Sequence, residues 1–177
     1  MQNKIYIFIG PPSSGKSYLG RKYAEYKGYT FYEADDDYKE EYRERTKISP
    51  EETEKVYEEF YSTVIGKIKE KLKLGKSVVV ASAIGKQRNR DRFTEEFGED
   101  VCFVYIKTSQ KNLVHNALTK EFPALQGVEK LEKKVAQGLR EHLSKKFLKY
   151  ETPVNVIVVE NDYSENVIPK MIDLLEE

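Results

Sequence analysis

The chain has 177 residues, of which 39% are hydrophobic and 34% are charged, and this composition is typical of one soluble globular domain. Its 30 basic and 30 acidic residues cancel, so the net charge does not favour nucleic acid as a partner. No apolar run would span a bilayer and no signal peptide precedes the first strand, while the single Cys102 excludes an internal disulfide, as expected in a reducing cytoplasm.

The most informative segment lies near the N-terminus, where an apolar strand pattern over residues 4–9 leads into the sequence GPPSSGKS. Residues 10–17 match the phosphate-binding pattern GxxxxGK[ST] at all four fixed positions, and a helical pattern follows from Tyr18 to Tyr26. The strand–loop–helix context distinguishes such a loop from a chance glycine-rich turn. The sequence therefore predicts a site for a nucleotide triphosphate.

Each fixed position of this loop has an expected role. Gly10 and Gly15 let the backbone curl so that its N–H groups point at a phosphate, and the dipole of the following helix faces the same anion. Lys16 is expected to reach the β- and γ-phosphates, and the hydroxyl of Ser17 to ligate Mg²⁺. The predicted nucleotide-binding residues are Gly10, Pro11, Ser13, Ser14, Gly15, Lys16, Ser17 and Tyr18.

An acidic stretch follows the second predicted strand, residues 30–32. Asp35 comes just past the carboxyl end of that strand, where the sites of open parallel sheets form, and we expect it to orient and help deprotonate an acceptor hydroxyl. Glu33 is expected to hold a water on the metal, so that Ser17, Glu33 and Asp35 make up the metal side. The alternative is an acidic helix start, and Asp36 and Asp37 are interpreted as solvent-facing caps.

Strand and helix patterns alternate along the rest of the chain. Ser49-Pro50-Glu51-Glu52 is a capping box with proline at the first helical position, and it opens a long helix. Its apolar residues recur every four positions, at Val56, Phe60, Val64, Ile68 and Leu72. The later patterns predict strands over 78–81, 101–106 and 154–159, helices over about 90–97, 109–118 and 128–150, and a final helix that carries Val167, Ile168, Met171, Ile172 and Leu175.

This alternation predicts an α/β fold of the three-layer P-loop NTPase type. We expect a five-stranded parallel sheet with helices on both faces, in a single domain over residues 1–177. Helical excursions after the second and fourth strands suggest a substrate-covering segment at about 37–74 and a lid at about 119–135. Lids of this kind close over the phosphates and exclude water, which is the competing acceptor.

Three segments of the chain resemble the gluconate kinase/shikimate kinase group of P-loop kinases. These are the acidic element FYEAD at 31–35, the segment VVASAI at 79–84 followed by Arg90-Asp91, and Phe147-x-x-Tyr150-Glu151-x-Pro153, which is similar to that family's QFxxLExP. The resemblance implies an ATP- and Mg²⁺-dependent kinase that transfers the γ-phosphoryl group to a hydroxyl of a small polar acceptor, with a sugar acid expected. The predicted partners are therefore ATP and a small-molecule acceptor. The protein itself is expected to be a monomer or a homodimer.

The resemblance also suggests residues on the acceptor side. Arg90 is the candidate to clamp an anionic group, although a solvated helix explains it equally well. Ser82 is expected to face the substrate at the edge of the sheet. The predicted catalytic residues are Lys16, Asp35 and Arg90. The chain departs from the family in the lid, where the only basic residues are lysines, so either Lys120 or Arg140 substitutes for the missing arginine or turnover is slow.

Two other functions agree with the same loop. A nucleoside or nucleoside monophosphate kinase would use arginines in the covering segment, where Arg43 and Arg45 are present. A degenerate kinase would bind nucleotide without efficient transfer, which the arginine-poor lid suggests. The two histidines, His115 and His142, have no cysteine partners and do not predict a zinc site.

Overall fold

The computed structural model describes residues 3–121 and 150–176. Five strands form one parallel sheet in the order β2-β3-β1-β4-β5. Their bounds are Ile5–Ile9 for β1, Thr30–Glu33 for β2, Val78–Ser82 for β3, Val101–Lys107 for β4 and Ile157–Glu160 for β5. The central strands β1 and β3 are runs of branched and aromatic residues and are almost wholly buried, as expected when both faces of a parallel sheet are covered.

Six described helices connect and cover these strands. They are α1 (Lys16–Lys27), α2 (Glu40–Arg45), α3 (Pro50–Leu72), α4 (Gln87–Phe97), α5 (Gln110–Glu121) and α6 (Val167–Glu176). Side chains of α1 and α6 share one hydrophobic core with one face of the sheet, and side chains of α3 and α4 share a second core with the other face. The structure thus confirms the predicted three-layer α/β fold.

The long helix α3 begins as the capping box predicts. The Oγ of Ser49 accepts a hydrogen bond from the backbone N–H of Glu52 at 3.1 Å, and Pro50 occupies the first helical position, where no N–H is needed. Four residues of the predicted apolar stripe, Val56, Phe60, Val64 and Ile68, are buried, and Leu72 packs at the edge of the same core. This helix therefore fixes the covering segment against the sheet.

The last strand is shorter than predicted. Residues 154–156 were expected to be extended, but Asn155 has a φ of 54°, in the left-handed region, and β5 begins only at Ile157. The final helix forms as predicted, because Pro169 falls in its first turn, where the missing N–H breaks no intrahelical bond.

The sheet brings the predicted site segments to one edge. In the parallel register Ile9 of β1 pairs with Ser82 of β3, and Glu33 of β2 pairs with the preceding Ala81. The strand ends that carry the phosphate loop, the acidic stretch and the β3 exit therefore lie beside one another. Ligands bind at this edge in open α/β sheets.

Two predicted features fall wholly or mainly beyond the described residues. These are the helix over 128–150, of which only Tyr150 is described, and the lid over 119–135, with Arg140 and His142 beyond it. Among the helices that are described, none has the length and apolar character needed to cross a membrane.

Candidate active site

Three residues of the phosphate loop, residues 10–17, have positive φ. The φ angle is 159° at Gly10, 65° at Ser13 and 93° at Gly15. A Cβ added to Gly15 would lie 2.5 Å from Nδ2 of Asn161, and one added to Gly10 would lie 2.6 Å from Oγ of Ser14. Neither position has room for a side chain, so both glycines are required for the tight curl of the loop.

Residues from the far end of the chain hold this loop in place. Nδ2 of Asn161 donates to the carbonyl of Ser14 at 2.8 Å, and the hydroxyl of Tyr163 donates to the carbonyl of Ser13 at 2.7 Å. The hydroxyl of Thr108 also donates a hydrogen bond to the carbonyl of Ser14, at 3.1 Å. In a trans peptide the C=O and the next N–H point in opposite directions, so these bonds turn the N–H of Gly15 away from Asn161.

The first turn of α1 is joined to the end of β2. Lys16 begins the helix, its side chain is 9% exposed, and its Nζ lies 3.2 Å from Oδ2 of Asp35. The hydroxyl of Ser17 interacts with the carboxylate of Glu33 and acts to lower the pKa of that carboxylate. The structure therefore brings together the residues that the sequence predicted to address phosphate and metal.

Asp35 connects the phosphate loop with the exit of β3. It lies in a short 3₁₀ turn, residues 34–37, directly after β2. While Oδ2 faces Lys16, Oδ1 accepts hydrogen bonds from Oγ of Ser82 at 3.3 Å and from the backbone N–H of Ala83 at 3.0 Å. The carboxylate is thus fixed in orientation by two separate segments of the chain, the start of α1 and the exit of β3.

Glu33 is a half-buried carboxylate beside these groups. Burial raises its pKa above the ordinary value, the hydroxyl of Ser17 acts in the opposite direction, and the nearby charge of Asp35 acts to raise the pKa. Two clustered carboxylates with a hydroxyl offer the hard oxygen ligands that Mg²⁺ prefers, typically one or two carboxylates together with substrate phosphate. Ser17, Glu33 and Asp35 therefore fit the predicted metal side.

Arg90 is not a solvated helix residue, because it is 1% exposed. Its Nη1 donates to the carbonyl of Ile84 at 2.9 Å, and its Nε and Nη2 donate to Oε1 of Gln87 at 3.0 and 2.9 Å. These bonds use three of the five guanidinium donors. Among residues 3–121 and 150–176 no carboxylate pairs with Arg90, so its charge is buried beside neutral oxygens.

Unlike Arg90, the neighbouring basic residues pair with carboxylates. Arg88 pairs with Glu54, and Arg92 pairs with Glu58 at 3.1 Å. In the covering segment Arg45 contacts Glu52 and Glu59, and Arg43 contacts Glu40. The arginines that would have held a base or a phosphate in a nucleoside kinase are therefore engaged with carboxylates of the covering segment itself.

Asp37 is not the solvent-facing cap that the sequence suggested. Its carboxylate binds Nζ of Lys67 on α3 and accepts from the hydroxyl of Tyr32, and both partners come from outside the 3₁₀ turn. Burial acts to raise the pKa of Asp37, but the hydrogen bonds from Lys67 and Tyr32 outweigh it, and the pKa is lowered. Asp36, the other predicted cap, is exposed as expected.

The remaining predicted nucleotide-binding residues differ in exposure. Pro11 and Ser14 are buried, whereas Tyr18 is 59% exposed on the outer surface of α1. The Oγ of Ser14 has no hydrogen-bond partner among the described residues. Ser82 is 1% exposed, and its hydroxyl donates to Asp35.

An open cavity of about 430 Å³ lies between the start of α3 and the β3–α4 connection. It is lined by Thr46, Lys47, Ile48, Ser49, Pro50, Thr53, Glu54 and Lys86. Neither Lys16 nor Asp35 lines it, so we do not place the reacting groups there.

Sequence reasoning missed the residues that brace the phosphate loop. The sequence did not predict that Thr108, Asn161 and Tyr163 hold this loop. The signal that was present is a polar residue directly after a buried strand, at Thr108 after β4 and at Asn161 after β5. Tyr150, which packs beside the β3–α4 connection, gave no such signal.

The sheet order, the glycine-rich loop before α1 and the carboxylates at the end of β2 define a P-loop kinase fold. Known structures with this fold agree, at low sequence identity. A gluconokinase from Sinorhizobium meliloti 1021 has a TM-score of 0.68 and 17% identity, over 99% of this chain and 92% of its own. A shikimate kinase from Bacteroides thetaiotaomicron has a TM-score of 0.63 and 13% identity, over 98% and 99% of the two chains.

An APS kinase from Mycobacterium tuberculosis, in complex with AMPPNP and APS, has a TM-score of 0.59 and 17% identity over 99% of both chains. A comparison with curated proteins gave no significant match. Residues 5–143 match the AAA domain family, which is well over half of the sequence. The chain therefore belongs to the AAA domain family, and the expected resemblance to P-loop kinases is confirmed in its fold.

Proposed function

We propose that this protein is an ATP- and Mg²⁺-dependent kinase that transfers the γ-phosphoryl group to a hydroxyl of a small polar acceptor, and that the acceptor is a sugar acid. The observation that carries this proposal is the position of Asp35. One carboxylate oxygen faces Lys16 of the phosphate loop, and the other is held by the exit of β3. A single side chain thus joins the place for phosphate to the place for an acceptor.

On the nucleotide side, the chain supplies backbone N–H groups, one lysine and the start of a helix. Together these groups favour a polyphosphate, because each one presents positive charge or partial positive charge. Ser17 and Glu33 would hold Mg²⁺, with Asp35 close by. The metal would supply charge neutralisation between the β- and γ-phosphates.

On the acceptor side, Asp35 is suited to accept the proton of the attacking hydroxyl. In the transfer, the acceptor oxygen forms a bond to the γ-phosphorus while the bond to the β–γ bridging oxygen breaks, and the hydroxyl proton passes to the carboxylate. Nζ of Lys16 would then interact with the phosphates rather than with Asp35 alone. Binding of nucleotide therefore prepares the carboxylate for the acceptor.

Arg90 and Ser82 support an oxygen-rich acceptor. The guanidinium of Arg90 is buried without a carboxylate partner in the described part of the chain, and a buried charge of this kind favours an anionic ligand. Ser82 lies beside Asp35 with its hydroxyl 3.3 Å from Oδ1. Proteins with the same fold include a gluconokinase and a shikimate kinase. This shared fold supports the proposal that the protein is a kinase.

The test is a screen for acceptor-dependent release of ADP from ATP in the presence of Mg²⁺. The panel contains sugar acids, simple sugars, shikimate and nucleoside monophosphates, and Lys16→Ala is run beside the wild type as the inactive control. We expect release with a sugar acid and none with Lys16→Ala. A response to a nucleoside monophosphate alone would replace the proposed acceptor with a nucleotide, and ATP binding without any acceptor-dependent release would indicate a degenerate kinase.

A further inference from the structure

Tyr150 lies against the segment that carries Arg90. Its ring stacks on Tyr105 of β4, with ring centroids 5.9 Å apart and an angle of 11° between the planes. A Cβ added to Gly85 would lie 3.5 Å from the Cδ2 atom of Tyr150, so the ring covers the backbone of the β3–α4 connection. Tyr150 is thereby held at the same edge of the sheet as Asp35 and Ser82.

The next residue fixes this position from the other side. The backbone N–H of Glu151 donates to the carbonyl of Gly85 at 3.0 Å, and its carboxylate accepts from the backbone N–H of Gln87 at 2.7 Å. Gln87 also accepts two bonds from Arg90. Glu151, Gln87 and Arg90 thus belong to one hydrogen-bonded unit, and Tyr150 is joined to it as the residue that precedes Glu151.

The hydroxyl of Tyr150 is buried and has no hydrogen-bond partner among the residues that the structure describes. A buried hydroxyl without a partner is destabilising, and a phenylalanine would fill the same space without that cost. Buried tyrosine hydroxyls usually find a partner. The arrangement is therefore explained if the partner is a ligand.

The charges around the ring indicate where this ligand lies. Burial raises the pKa of Tyr150, whereas the positive charge of Arg90 acts to lower it and the charge of Asp35 to raise it. The phenol consequently stays neutral at pH 7 and can donate a hydrogen bond. Its hydroxyl lies within the electrostatic range of both groups that we assign to the acceptor side.

We propose that the hydroxyl of Tyr150 determines acceptor specificity by donating a hydrogen bond to an oxygen of the acceptor, next to the guanidinium of Arg90. This inference rests on the proposed kinase function and adds a residue to its acceptor side. An acceptor with an oxygen at that point satisfies the buried hydroxyl, and an analogue without it leaves the hydroxyl unpaired. Sites of this kind discriminate strongly against the analogue that lacks the polar atom.

The experiment compares Tyr150→Phe with the wild type, because this change removes one oxygen atom and keeps the ring. Steady-state rates are measured with ATP, Mg²⁺ and the sugar acid that gives the highest rate in the screen, and thermal unfolding is measured without ligand. The matched control is Tyr29→Phe, a half-buried tyrosine that stacks on Tyr6 at the opposite face of the sheet.

For Tyr150→Phe we expect the KM for the acceptor to rise about tenfold, as for the loss of one hydrogen bond, with kcat and the KM for ATP within twofold of wild type. Its unfolding temperature should equal or exceed that of the wild type. An unchanged KM for the acceptor would overturn the inference and leave the kinase proposal intact. If no acceptor gives ADP release, the kinase proposal fails, and the unfolding measurement still decides whether the hydroxyl is unpaired: a lower unfolding temperature would overturn the inference.

Discussion

The phosphate loop presents backbone groups from eight consecutive residues, whereas the proposed acceptor side presents side chains from four separated segments, at Asp35, Ser82, Arg90 and Tyr150. On the nucleotide side the fold's task is to hold a backbone in an unusual conformation. On the acceptor side the task is to bring distant side chains together. The first task depends on local sequence and the second on the whole sheet.

The two sides also differ in how they are supported. The carbonyls of the loop are held by Asn161, Tyr163 and Thr108, which lie after β4 and β5 and form no part of the motif. The acceptor groups instead hold one another, since Asp35 contacts Ser82, and Gln87 joins Arg90 to Glu151. Changes on the nucleotide side should therefore affect ATP binding, and changes on the acceptor side should affect transfer.

The largest effect is expected from Lys16→Ala. This change removes a positive charge from the phosphate site, and we expect kcat/KM for ATP to fall by about 10³-fold. The fold should remain intact, because Lys16 is not one of the hydrophobic residues that form the two cores. Lys22→Ala, an exposed lysine on the same helix α1, is the control and should retain full activity. Full activity in Lys16→Ala would refute the nucleotide site.

The next effect is expected from Asp35→Asn. The amide can still accept bonds from Ser82 and Ala83, but it cannot accept the proton of the acceptor hydroxyl. We expect kcat to fall by roughly 10²-fold or more, with ATP affinity within a few-fold of wild type. The exposed neighbour Asp36→Asn serves as control. Wild-type transfer by Asp35→Asn would mean that another group takes the proton.

A smaller effect is expected from Asn161→Ala, which tests the support of the loop rather than the loop itself. The change leaves the carbonyl of Ser14 with the bond from Thr108 only, and opens space next to Gly15. We expect stability to fall by about 1–3 kcal/mol and ATP affinity to fall about tenfold. Denaturant unfolding measures the stability and ATP titration measures the affinity. The control variant is Asn166→Ala, at an exposed position. Unchanged ATP affinity would show that the loop holds its conformation unaided.

The smallest effect concerns Asp37, which ties the acidic turn to α3. Its pKa is lowered in the folded protein, so the folded state binds fewer protons than the unfolded state, and the stabilisation is present above its ordinary pKa of 3.8. Asp37→Asn should cost on the order of 1 kcal/mol at pH 7. The difference between variant and wild type should vanish as the pH falls below 3.8. A difference that does not change with pH would exclude the ion pair with Lys67 as its cause.

Much of the fold could be predicted from the sequence because its signals are local. The glycine-rich loop, the capping box at Ser49 and the four-residue spacing of α3 each lie within one continuous segment. The start of β5 was not predicted, because Asn155 interrupts the apolar run but an asparagine can be extended or left-handed, and residue type alone does not decide between the two. Boundaries of this kind depend on backbone geometry that residue type alone does not determine.

The candidate site was predictable only in part, because some of its contacts do not follow from local sequence. Glu33 and Asp35 lie two residues apart at a strand end, so their meeting with Lys16 follows from the parallel sheet. The burial of Arg90 and the pairing of Asp37 with Lys67 depend on packing between separate helices and turns. From the sequence, Arg90 could equally be an anion clamp or part of a solvated helix, and Asp37 was interpreted as a cap. Which of these side chains the tertiary structure would bury could not be predicted.

The measurement that tests the central claim most directly follows the acceptor rather than ATP. Wild type and Asp35→Asn are incubated with ATP, Mg²⁺ and a sugar acid, and the product is analysed by ³¹P NMR and mass spectrometry. The account predicts a phosphate monoester on a hydroxyl of the sugar acid with wild type, and at least a hundredfold less of it with Asp35→Asn at equal ATP occupancy. Equal yields from the two proteins, or release of inorganic phosphate alone by the wild type, would contradict it.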